Sequence, residues 1–399
     1  MRIKKEKKAL TLLGLIKFSA ITFGSTCVGV YTVIEMVQFF FGDSFFFSKL
    51  STMIKVACFL NTVVLIDLVL ICIYIWNAYR MALENSLSLD EKDYVDNNDS
   101  LVNILETAYN AKRWHEVVKI GRPLSESLWY TGKYDLRVKI GEMIASAAGL
   151  CEEYEIQAET LLDDLGWTRI RLNQIESGKR NIEHGLKVAE DHSLYYLIAK
   201  GYRHLADIHL AEACNFWTLR YMDWGNQHLP KVITKVRELD ECYNFYEKAI
   251  SVLPSITNTN KRVEMEGNLK YTLSKYYLIK REFDNALRTV DEAQNLYNTL
   301  SDEDREVKLF NLRGKIFMEM GKEGDAESAY QEGLRKATAI SNNAHMVSNS
   351  ISLTEYYMTE GQKKLAGQML SVARDNSFAI SDPILTAKIE ELSASLDKD

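Results

Sequence analysis

Ala286, Ala326 and Ala366 stand forty residues apart, and each carries the same company of residues at the same distances. Counting from Gly314, Phe317, Gly321, Ala326, Tyr330 and Gly333 follow at offsets 3, 7, 12, 16 and 19. Thr354, Tyr357, Gly361, Ala366, Leu370 and Ala373 repeat those offsets, and so do Ser274, Tyr277, Arg281, Ala286, Val290 and Ala293. Small residues at one-turn intervals let two helices of a hairpin approach closely, while the aromatic or branched residues fill the space between one hairpin and the next. From about Ser100 onward the apolar spacing is helical, in segments of 12 to 20 residues broken by short turns, with Gly321 and Gly361 at two of the joints. Strand-like alternation is essentially absent. The fold class this dictates is all-α.

Three units in phase resemble tetratricopeptide-repeat (TPR) proteins, with forty-residue units instead of the more usual thirty-four. The resemblance covers roughly residues 100–377 and is well matched in 160–190 and 262–377. It implies a helical solenoid whose first helices line a groove for an extended or helical peptide. By repeat register the inward candidates are Trp167, Ile170, Lys275, Asn311 and Lys315. The lysine and asparagine pattern that holds a terminal carboxylate in some members is not reproduced, so no preference for C-terminal tails follows.

One stretch supports two readings. "LGWTRIRLNQIESGKRNIEHGLKVAE", Leu165 to Glu190, resembles a helix-turn-helix DNA reader through Leu161, Gly166, Leu172, Ile175, Glu176 and Gly178. Such domains usually need a small residue where this chain has Leu162, and that bulk would push the first two helices of the motif apart. The same stretch keeps the repeat offsets, Gly166 being followed by Arg169, Asn173, Gly178, Ile182 and Gly185. Its basic residues Arg169, Arg171, Lys179 and Arg180 sit in an otherwise acidic body. The repeat reading is preferred, and no nucleic-acid partner is expected.

The array is irregular at one point. After "AKGYRHLADIHL" the residues matching the repeat, Cys242, Tyr246 and Ala249, come 24 positions late, which places an aromatic-rich insertion at about 211–240. The stretch "AKRWHEVVKIGRPLSESL" fits the repeat loosely and resembles the start of similar arrays in large signalling ATPases. Those carry a P-loop, whereas this chain has no GxxxxGK[ST].

Ahead of the array lie two apolar stretches, about 18–41 and 56–76. Each has the ~20 residues needed to cross the hydrocarbon core as a helix. Residues 1–80 carry a net charge of +5 and residues 81–399 a net −12. Arg2, Lys4, Lys5, Lys7 and Lys8 precede the first span, while the short loop between the spans offers Lys49 and Lys55. The positive-inside bias therefore puts both termini in the cytoplasm, with 1–80 a transmembrane hairpin, 81–99 an acidic linker and 378–399 a C-terminal helix. The expected location is a bacterial-type inner membrane, with the bilayer itself a partner of 18–41 and 56–76. Asp67 lies near the middle of the second span with Asn61 six residues before it, and an intramembrane carboxylate is a functional hypothesis by default.

Chemistry is harder to find. Cys27, Cys58, Cys72, Cys151, Cys214 and Cys242 form no CxxC pair. His204, His209 and Cys214 come five apart, a spacing that turns successive ligands about 140° apart on a helix. No HExxH, GxSxG or glycine-rich phosphate loop occurs, so no catalytic residue, metal or cofactor is nominated. The expected function is a membrane-anchored TPR scaffold or sensor that binds an unidentified protein or peptide. The alternative is a membrane-acting effector, of the kind used in antiviral (antiphage) defence. There a trigger sensed by the array would drive self-association, and the two spans would assemble through Asp67 and Asn61. A membrane-tethered DNA-binding regulator is the third reading.

Overall fold

A computed structural model describes residues 98–213, 236–378, 380 and 382–398. Both predicted spans, with Asn61 and Asp67, lie outside these residues. No described helix is long and apolar enough to cross a membrane. The chain divides into two units, residues 1–112 and 113–399. The described part of the first is helix α1 (Asn98–Asn110), which buries Leu101, Val102, Leu105 and Ala108 at helical spacing.

The second unit is a succession of helices with no strand among the described residues: α2 (Trp114–Tyr130), α3 (Tyr134–Leu150), α4, α5 (Ile175–Asp191), α6 (Tyr195–Ala213) and α7 (Val236–Val252). After a short 3₁₀ turn follow α8 (Thr259–Ile279), α9 (Phe283–Leu300), α10 (Glu303–Glu319), α11 (Glu323–Ala339), α12 (Asn343–Thr359), α13 (Lys363–Ser377) and α14 (Pro383–Lys398). Helix α4 is continuous but not uniform, running as α-helical Tyr154–Glu159, π-helical Thr160–Trp167 and α-helical Thr168–Arg171. Each even-numbered helix from α2 to α12 pairs with the next as a hairpin, and the hairpins stack in sequence order. The arrangement is a TPR-like helical solenoid. The insertion expected at 211–240 spans the end of α6 and the start of α7, and 214–235 lies outside the described residues.

The joints share one geometry. A left-handed residue follows α2 to α5 and α8 to α12, and the next amide bonds back to a carbonyl five residues earlier, as in Lys322 N to Phe317 O at 2.9 Å and Glu282 N to Tyr277 O at 2.9 Å. Gly132, Gly321 and Gly361 supply the positive φ without strain. Lys112, Glu152, Asn173, Ser193, Arg281, Ser301 and Ser341 adopt it as well, so most joints carry no glycine signal.

Packing explains the repeat offsets. Ala286, Ala326 and Ala366 are fully buried, and so are Val290 and Tyr330. Gly314 leaves no room for a β-carbon, which would collide with the Tyr330 ring, and at Gly267 it would lie 2.5 Å from Tyr297 Cε1. Leu162, the residue that argued against a DNA reader, is fully buried against Gly185 and Gly201. Those two glycines create the space its side chain occupies between α4, α5 and α6.

A β-carbon on Gly185 would stand 2.9 Å from Leu161 Cβ and 3.0 Å from the Ala158 carbonyl oxygen, and neither can yield easily. Gly185→Val is expected to cost about 1–3 kcal/mol in a denaturant unfolding measurement. Gly324, with nothing within 4 Å, serves as the control. Gly324→Ala should be neutral or stabilise by up to about 1 kcal/mol. Equal losses at both sites would contradict close hairpin approach as the reason for the small residues.

Candidate partner-binding face

The first helices of successive hairpins, α4, α6, α8, α10 and α12, lie side by side, and α14 continues the row. The residues that repeat register turns inward sit along this row. Polar side chains of the row bond to one another across each junction.

Between α4 and α6, Asp163 accepts from Lys200 Nζ at 2.7 Å and from His204 Nε2 at 2.8 Å. The other His204 nitrogen, Nδ1, faces Arg203 Nη2 at 3.3 Å. A guanidinium only donates, so Nδ1 accepts and Nε2 carries the proton that goes to Asp163. Burial, aided by Arg203, holds His204 below the usual imidazole range and keeps it neutral. Burial also pushes the Asp163 carboxyl up, but Lys200 and His204 outweigh it and hold that group well below the usual carboxylate range. The Trp167 ring stacks on His204 with centroids 4.9 Å apart.

Between α6 and α8, Asp207 is 1% exposed and accepts from Lys275 Nζ at 2.8 Å and Thr272 Oγ1 at 3.2 Å. Its other oxygen faces Arg203 Nη1 at 3.3 Å. The Lys275 ammonium also lies 4.8 Å from the centroid of the half-buried Tyr271 ring. From α8 to α10 the link is Glu264 to Arg305 Nη2, 2.7 Å. From α10 to α12, Asn311 Nδ2 donates to Ser352 Oγ at 3.0 Å and Asn349 Oδ1 at 3.4 Å. From α12 to α14, Lys388 Nζ meets Glu355 at 2.9 Å.

The predicted groove residues therefore divide. Lys275 and Asn311 are buried in the polar seam, Lys315 is buried on the same helix as Asn311, Ile170 is in the apolar core, and Trp167 is half-buried on His204. Sequence reasoning missed Asp163, Lys200 and Arg203, which occupy inward register positions of α4 and α6. It met His204 only in a spacing unsuited to a metal, and it did not single out Asp207. The π-helical turns around Asp163 had no signal in the sequence. They set adjacent carboxylates on different neighbours, Asp163 on α6 and Asp164 on Arg137 of α3 at 2.7 Å.

His204 and His209 belong to separate clusters, and Cys214 lies outside the described residues. His209 Nδ1 is 2.7 Å from Glu238 and 3.5 Å from Glu212, and this trio could gather around a cation. His115, Cys151 and Glu153 form a second such trio, on the surface. The arginines of the DNA-reader reading are engaged within the protein. Arg169 bonds Asn181 and Glu142, each at 2.5 Å, and Arg171 bonds Asp382 at 2.7 Å.

No protein-family model matches the chain, and no curated protein matches it in sequence. Among solved structures it is similar to a Signal Transduction ATPase with Numerous Domains (STAND) protein with a tetratricopeptide repeat sensor from Pyrococcus horikoshii. That match has 15% identity and a TM-score of 0.39, and covers 72% of this chain and 41% of that one. It is also similar to BtubC (BKLC) from P. vanneervenii, with 14% identity and a TM-score of 0.35, over 71% of this chain and 92% of that one. The chain thus spans less than half the length of the first.

The seam has a pH signature. A solvated aspartate protonates near pH ~4, and Asp163 in the folded chain stays ionised well below that. Its stabilising contribution is present in full above about pH 5 and is lost progressively as the pH falls below about 4. The stability gap between the wild type and Asp163→Asn, measured by urea unfolding, should be widest at neutral pH and narrow towards pH 3. A gap that stays constant would show that the ionised form is not what stabilises the junction.

Proposed function

We propose that the chain is a membrane-anchored helical-repeat scaffold or sensor whose array binds a partner protein at the cytoplasmic face. One observation carries the reading. Five first helices are held side by side by polar links across their junctions, so the row presents a continuous face that is already ordered. A partner laid along such a face incurs little of the ordering cost that weakens association with flexible surfaces. Trp167, Arg203 and Tyr271 remain half-exposed at its inward positions and Lys308 is exposed, which gives the face both aromatic and cationic contacts. The anchor is assigned to residues 18–41 and 56–76 from their hydropathy and flanking charge.

Asp67 favours a second reading. A carboxylate placed mid-span is costly unless it finds a partner, and self-assembly of the two spans would provide one. In that case the array would be a trigger sensor and the spans the working part.

A crosslinked pull-down of the full-length protein from its native membrane separates the two. The scaffold reading predicts one soluble partner, recovered equally by the wild type and Asp67→Leu. Tyr271→Ala combined with Lys308→Glu should reduce its recovery roughly tenfold, the size expected when an aromatic anchor and a favourable charge are lost. If the main product is the protein itself and Asp67→Leu loses it, the effector reading replaces the scaffold.

A further inference from the structure

One polar contact joins residues far apart in the chain. Asp382, at the N-terminus of α14, accepts from Tyr134 Oη of α3 at 2.8 Å and from Arg171 Nη2 of α4 at 2.7 Å, all on the Oδ2 oxygen. Tyr134 and Asp382 are 248 positions apart. The pocket is built for a carboxylate. Trp129 forms its wall, with the Arg171 guanidinium 5.4 Å and the Arg137 guanidinium 4.7 Å from the ring centroid. Arg171 also lies 5.3 Å from the Tyr134 ring centroid. Arg137 has its own carboxylate, Asp164, from the neighbouring helix. The Asp382 side chain is 3% exposed and that of Arg171 13%. Burial holds the Tyr134 phenol above its usual range, so it stays a donor.

Asp382 has a second task. Its Oδ1 accepts from the Leu385 amide at 3.3 Å, so the same carboxylate caps α14. The body of α14 belongs elsewhere: Leu385, Ile389 and Leu392 pack with Val347, Ile351, Leu370 and Ala373 of α12 and α13. The body of the helix is therefore rooted on α12 and α13, while its capping side chain reaches α3 and α4.

We propose that Arg171, Tyr134 and the Trp129 wall form a carboxylate-binding site that the chain's own Asp382 occupies. Helix α14 is then a releasable latch, and an acidic segment of a partner protein is the competitor that frees it. The site rests on the partner-binding reading for the competitor alone. A carboxylate tethered in the same chain acts at a high effective concentration and excludes free ligand until it is neutralised or outcompeted. Charge complementarity specifies the ligand class, since a guanidinium held against an indole face and flanked by a hydroxyl donor selects an anionic oxygen.

The probe is a labelled peptide of residues 380–398 of this chain, added to the full-length protein. Asp382→Asn keeps a good helix cap but removes the charge, so it empties the site without uncapping α14. That variant should bind the peptide roughly tenfold or more tightly than the wild type does, the factor expected for one charge-assisted hydrogen bond. Arg171→Met introduced into the same variant should abolish the gain. Amide exchange over residues 385–396 should speed up in Asp382→Asn and in Arg171→Met made alone, while α8 to α11 stay protected and show that the fold is intact. Equal peptide affinity of wild type and Asp382→Asn would overturn the proposal, as would peptide binding that survives Arg171→Met. Neither outcome depends on which partner a pull-down recovers.

Discussion

The buried ion pair between Asp207 and Lys275 is the contact on which the array's geometry turns. Asp207 is 1% exposed and Lys275 4%, so each charge has left water and must be compensated inside the protein. Burying either one alone would cost several kcal/mol, whereas the pair with Thr272 and Arg203 around it comes close to balance. The consequence is positional more than energetic. Helices α6 and α8 cannot slide past one another by a turn without stranding a charge, so the pair fixes their register.

The same logic recurs along the row. Asp163 with Lys200 and His204 sets α4 against α6, Glu264 with Arg305 sets α8 against α10, and Glu355 with Lys388 sets α12 against α14. Apolar packing supplies the hairpins, through glycine and alanine positions that admit a tyrosine or leucine from the opposite helix. Polar links supply the order between hairpins. A surface assembled this way keeps one shape along its length, and recognition of an extended segment needs that property.

Much of the fold was legible from spacing. Of the offsets that began at Gly314 and Thr354, those at Ala326, Gly333, Ala366 and Ala373 fell on buried positions of close helix approach, Tyr330 and Leu370 fell on buried filling positions, and Gly321 and Gly361 fell on the exposed joints. The joints at Arg281 and Ser341 were less legible, since residues with ordinary helical preferences were drawn into left-handed backbone by the hairpin on either side. The π-helical turns of α4 left no trace in the sequence pattern. Inward positions such as Lys275 and Asn311 were found by register, but their partners were not. Asp207 lies 68 residues before Lys275 and belongs to a hairpin whose second helix is displaced by the insertion, so no local rule connects them. Repeat register shows which way a side chain faces. Which group it meets depends on the stacked array, and for Arg171 on the far end of the chain.

The claim that paired charges hold the inner row in register is tested most directly by a double-mutant cycle on Asp207→Asn and Lys275→Met, read by denaturant unfolding. A coupling energy of about 2 kcal/mol or more is expected, because either single change strands a buried charge and the double change removes both. Additive losses, with a coupling near zero, would contradict the account and leave apolar packing alone to order the helices.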